Sequence, residues 1–78
     1  MQATPRRATI GGMDIQLNGD ALDVAEGTTV QALLRQQGLG ERRVAVEVNG
    51  GIVPRSRHGE HVLQPGDAVE IVHALGGG

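Results

Sequence analysis

The 78 residues predict an α+β domain in which about four to five strands pack on one main helix. Three observations carry this expectation. Apolar and polar residues alternate on both sides of an Asn-Gly pair near the start, which is the period of a half-buried hairpin. A single stretch in the middle has apolar residues at i, i+3 and i+4, the stripe of a helix lying on a sheet. Alternation then returns twice, separated by glycine and proline turn signals.

Residues 1–12 show no period and contain Pro5 and a glycine pair, so they are read as a disordered extension, with the domain spanning 13–75 and a flexible glycine tail 76–78. Met13, Ile15 and Leu17 alternate with Asp14, Gln16 and Asn18, and Asn18-Gly19 reverses the chain into a strand that buries Leu22 and Val24. Glu26-Gly27 breaks the pattern. Thr28 is the expected helix N-cap, with Gln31 at the capping-box spacing, and Val30, Leu33 and Leu34 form the apolar stripe. Gly38 lies just past a helix of about ten residues, where a left-handed backbone suits glycine. Val44, Val46 and Val48 begin the next strand, Asn49-Gly50-Gly51 turns it into Ile52-Val53, and Pro54 ends the pairing because it has no amide hydrogen. Residues 55–61 read as a polar loop. Gln64-Pro65-Gly66-Asp67 has the Pro-Gly centre of a type II turn and leads into a closing strand, 68–75.

Composition removes several function classes. Without cysteine the chain has no disulfide, thiolate metal site, iron–sulfur ligand or protein thiol nucleophile, which is compatible with a reducing, cytoplasmic setting. Net charge is −2, with no lysine and no aromatic ring for base stacking, so neither nucleic acid nor any other anionic partner is expected. No apolar run reaches membrane-spanning length. His58 and His61 resemble a metal pair, but Gly59 and Pro54 oppose the helix that would align their rings, and two histidines without further ligands make no site. No metal or bound cofactor is expected.

The chemistry is expected at the end of the sequence, Ala74-Leu75-Gly76-Gly77-Gly78. Glycines without Cβ atoms enter a slot too narrow for side chains, and a terminal carboxylate on Gly78 would be a poor electrophile until activated. In the closing strand Val69 and Ile71 belong to the buried face, leaving Val72 and Ala74 on the other, with Leu75 just before the glycines. Val72, Ala74, Leu75 and Gly76 are therefore candidates for gripping a partner. The same pattern also suits a central strand covered on both faces, or a few exposed aliphatic side chains without a partner.

The order hairpin, helix, strand, short strand, turn and last strand is that of a ubiquitin-like β-grasp, a mixed sheet around one helix. Met13 to Gly19, Glu26 to Val30 with Leu33-Leu34, Val48-Asn49-Gly50 with Ile52 to Arg55, Gly66-Asp67 with Val69 to Ile71, and Gly77-Gly78 together resemble the ThiS family, sulfur carriers of thiamine biosynthesis. The resemblance covers Met13 to Gly78; the leading residues and the third glycine, Gly76, lie outside its pattern. It implies that a ThiF-type adenylating enzyme uses ATP to activate the Gly78 carboxylate, with Gly77 keeping access open. Sulfur then arrives from a persulfide donor such as a cysteine desulfurase, and the thiocarboxylate serves the thiazole synthase ThiG. Such a chain is a carrier and not an enzyme. The small subunit of molybdopterin synthase shares the diglycine end and the same charging chemistry, and a β-grasp interaction module with an inert tail is a further alternative.

Overall fold

The computed structural model describes residues 12–73. The readings placed on residues 1–11 and on Ala74 to Gly78 lie outside the described residues. Five strands and one α-helix follow in the order β1 (Gly12–Leu17), β2 (Asp20–Ala25), α1 (Val30–Gln36), β3 (Val44–Val48), β4 (Gly51–Val53) and β5 (Ala68–His73). Gly12, assigned by sequence to the extension, already pairs with Ala25 in the first hairpin. The expected fold is the one observed: a mixed sheet in the order β2-β1-β5-β3-β4 packed on a single helix. β1 and β5 run parallel, whereas the other pairs are antiparallel.

Both hairpins turn on Asn-Gly. Asn18 and Gly19 have φ of 51° and 91°, and Asn49 and Gly50 have φ of 53° and 86°, the pair of positive angles that matches the twist of a two-residue hairpin. Gly66, with φ of 85°, supports the turn expected before β5, and the Asp67 N–H closes that turn on the Gln64 carbonyl at 3.1 Å.

The core lies between the helix and one face of the sheet. Eleven apolar side chains are buried among the described residues, all aliphatic or methionine, with Ile15, Val30, Leu33, Val46, Leu63 and Val69 the most enclosed. No aromatic ring shares the work, so each of these groups supplies a large fraction of a small total.

The helix departs from expectation at its start. Its N-cap is Thr29, whose Oγ1 accepts from the Ala32 N–H at 3.1 Å; Thr28 instead donates its hydroxyl to the Ala25 carbonyl at 2.6 Å. That backward bond holds Thr28 in the turn after β2, and the helix begins one residue later. The helix has seven residues rather than about ten, and Gly38, with φ of 76°, follows its C-cap Gln37.

The segment expected as a polar loop caps this helix. After a 3-10 turn at Arg55–Arg57, the carbonyls of His58 and His61 accept from the amides of Gln31 and Val30 at 2.9 and 3.0 Å. Two N–H groups that a helix start leaves without internal partners are thereby satisfied. Leu63 follows, its N–H on the Thr28 carbonyl at 2.9 Å and its side chain in the core. No helix among the described residues is long and apolar enough to cross a membrane.

Candidate functional site at the end of the central strand

β5 holds the middle of the sheet, and its start is fastened by both hairpin tips. On one side the Gln16 N–H donates to the Asp67 carbonyl and the Asn18 N–H to the Val69 carbonyl, at 2.9 and 2.8 Å. The next rung comes from a side chain: the Ile71 N–H donates to Asn18 Oδ1 at 2.9 Å. On the other side Asn49 Oδ1 accepts from the Ala68 N–H and Asn49 Nδ2 donates to Asp67 Oδ1, both at 2.9 Å. The second carboxylate oxygen of Asp67 accepts from the Gln64 N–H at 2.8 Å. Each asparagine therefore turns its own hairpin and anchors the strand that leads to the tail. Sequence reasoning found the turns but missed the anchors.

The far end of β5 is less enclosed. Residues paired directly across antiparallel strands share a face, so Val72 stands with Ala45, and Glu70 with Glu47, which in turn stands beside Ile52 on β4. This is the face turned away from the helix. Val72 is 56% exposed and Ile52 63% exposed, so the described residues do not cover the strand on both sides. The alternative that Val72 belongs to a doubly buried strand is thus excluded, leaving an open face with aliphatic side chains at two corners. Ile52, whose exposed position follows from the burial of its neighbour Val53, was not among the sequence candidates. Between the corners, two glutamates face each other across the ladder, and no arginine pairs with either among the described residues. Directly opposed like charges weaken a ladder.

Of the sequence-predicted site residues, Val72 lies on this face; Ala74, Leu75, Gly76, Gly77 and Gly78 lie outside the described residues. His58 is accounted for structurally. Its ring is buried, and its Nε2–H donates to the Val53 carbonyl at 3.0 Å, fixing the capping segment against β4. Among the described residues no three His, Cys, Asp or Glu side chains converge in a way that would hold a metal ion.

The architecture defines a class: a β-grasp domain whose central strand leads, beyond its last described residue His73, into a glycine-rich terminal sequence. The chain belongs to the ThiS family, whose model matches residues 14–78. It is similar to the sulfur carrier protein ThiS of Escherichia coli, with 35% identity over 66 residues, 85% of this chain and 100% of that protein. A thiazole synthase from Magnetococcus marinus is 44% identical over 66 residues, again 85% of this chain, and there the match spans only 20% of the relative's length. Among solved structures, the thiamine biosynthesis protein ThiS of Geobacter metallireducens superposes with a TM-score of 0.74 at 33% identity, covering 85% of this chain and 100% of that one.

Proposed function

We propose that this chain is a sulfur carrier for thiazole formation in thiamine biosynthesis, acted upon by partner enzymes rather than catalysing a step itself. The observation that supports this most directly is that the family match runs through the glycines to residue 78, so the tail belongs to the family pattern together with the domain.

In this reading Gly78 bears a free α-carboxylate. A ThiF-type enzyme lets that carboxylate attack the α-phosphorus of ATP, releasing pyrophosphate and leaving an acyl adenylate. The outer sulfur of a persulfide donor attacks the acyl carbon, AMP departs, and a thiol then cleaves the S–S bond to free the thiocarboxylate. Converting a resonance-stabilised carboxylate into an acyl phosphate anhydride supplies the leaving group that the first species lacks. Gly77 and Gly78 leave the carbonyl open to attack and fit a closed site from which water is kept. No acid or base from this chain is required.

The acceptor partner is proposed to be a thiazole synthase of the ThiG type. Support comes from Magnetococcus marinus, where a stretch resembling this chain is part of a thiazole synthase. Val72, together with Leu75 and the intervening Ala74, is proposed to form part of the grip, with Gly76 as the start of the part that threads into the partner.

The test is intact mass. Protein from its own host, or charged with the adenylating enzyme, ATP and a persulfide donor, should show one oxygen replaced by sulfur. One alanine added after Gly78 should leave the melting curve unchanged and abolish the mass change, since displacement of a reacting group by about 1 Å costs on the order of 100-fold in rate. If the extended protein is charged at the normal rate without trimming, Gly78 is not the reactive residue.

A further inference from the structure

The net charge of −2 conceals a separation. All five arginines within the described residues lie between the helix and the 3-10 turn: Arg35, Arg42, Arg43, Arg55 and Arg57. From the helix to the loop after the 3-10 turn there are three carboxylates, Glu41, Glu47 and Glu60, whereas β1, β2, β5 and their turns hold carboxylates and no basic side chain except His73. Of the three, Glu47 on β3 lies on the opposite, outer face.

Two of these arginines meet at one place. Arg42, from the connector before β3, and Arg55, from the 3-10 turn, line the same shallow hollow of about 480 Å³, with Leu34 and Val44 at its floor and Ser56 and Gly59 on its wall. Both arginines are exposed, and neither is in an ion pair among the described residues. Glu60, also on the wall, is 3.9 Å from Arg57. Gly40 also lines the hollow, and a Cβ placed on it would sit 3.2 Å from the Arg35 Cγ.

The position of the hollow gives it meaning. Val44 pairs with His73, the last described residue before the tail sequence. Val44 also lines the hollow, so a partner that reaches the end of β5 on the helix side is close to Arg42 and Arg55. On the outer side it meets Ala45 and Val72. We infer that the Arg42–Arg55 hollow is a docking surface for a carboxylate-bearing protein surface, which the partner presents beside the entrance that receives the tail. This rests on the carrier reading above and adds to it the sign of the partner's charge. Unpaired guanidinium groups at the rim of an interface chiefly steer encounter and fix orientation. A nucleic acid is the less suited occupant, because the rest of the domain is acidic and the chain has no Phe, Tyr or Trp for stacking.

The experiment follows association of the full chain with the ThiF-type enzyme of the same organism at about 50 and about 300 mM salt, concentrations that bracket the physiological screening length. Arg42→Glu with Arg55→Glu should weaken binding at least tenfold, mainly through a slower association rate, and should flatten its salt dependence. Arg42→Lys with Arg55→Lys should retain most of it and guards against a folding defect, which a melting curve also reports. Asp20→Lys with Asp23→Lys, on the far edge strand, should change the affinity less than twofold. Binding of the double glutamate variant at the wild-type rate overturns the proposal, as does equal weakening by the β2 control. Saturable binding of single-stranded RNA that the arginine variant loses would assign the face to nucleic acid and overturn it too. The carrier reading is scored separately by sulfur incorporation into the wild-type chain: association without incorporation defeats that reading while the arginine comparison still decides the surface, and absence of association overturns both.

Discussion

Asn18 and Asn49 occupy matching places in the two hairpins, and each does two things that no other residue type combines as well. Asparagine tolerates positive φ, and its amide reaches backbone groups that a glycine cannot. Asn18→Gly should keep the turn and remove the acceptor for the Ile71 N–H, lowering stability by about 1 kcal/mol; Asn18→Ala should add the cost of positive φ and lower it by about 2 kcal/mol. Urea midpoints of the two variants check the order, and an unchanged midpoint for Asn18→Gly would show that the anchor contributes nothing. Both Asn-Gly pairs were legible in the sequence as turns, because that signal is local. The anchors were not, since the Asn18 bond joins residues 53 apart and the Asn49–Asp67 bond joins residues 18 apart. Which remote amide a side chain meets is decided by topology.

At the scale of elements, the helix is the part least able to stand alone. Seven residues cannot hold a helix in water without outside support. It receives that support from Thr29 and from the carbonyls of His58 and His61. Thr29→Ala should therefore cost about 1 kcal/mol, read from a denaturant midpoint. Gln31→Ala, at the third position of the expected capping box, should cost much less, because the observed cap places Ala32 three residues after Thr29 and no box forms. Leu63 is the more severe test: Leu63→Ala removes a fully enclosed side chain and should cost about 2 to 5 kcal/mol, enough to unfold much of the population of a domain this small. Retained cooperative melting near the wild-type midpoint would mean the site collapses without penalty. The four longer strands were legible because alternation repeats over five or six residues. The stretch from Arg55 to Leu63 was not, for it has no period, and its value lies in carbonyls whose placement side chains do not announce.

For the whole molecule, the sheet separates a covered face from an open one, and the proposed function uses the open face together with the glycine-rich sequence after β5. Val72→Ser should leave the melting curve nearly unchanged, as exposed substitutions usually do within about 0.5 kcal/mol. It should also reduce the rate of adenylation at subsaturating enzyme, so that comparing melts with rates on the same samples separates docking from folding. Loss of both together would return Val72 to the core. The open face was half legible. Val72 followed from the phase of β5, whereas its grouping with Ala45, and the Glu47–Glu70 opposition beside Ile52, required the register of three strands.

The order of synthesis gives the central strand one further consequence. β5 is the last strand of the domain to leave the ribosome and also the one that joins the β1–β2 hairpin to the β3–β4 hairpin. Until Val69 and Ile71 emerge, the two hairpins share no ladder, and the closing contacts are among the most distant in the chain, the slowest kind to form. A nascent chain interrupted before Ala68 has neither a joined sheet nor a tail. Any chain long enough to include the glycine-rich sequence after β5 has already received the strand that joins the two hairpins.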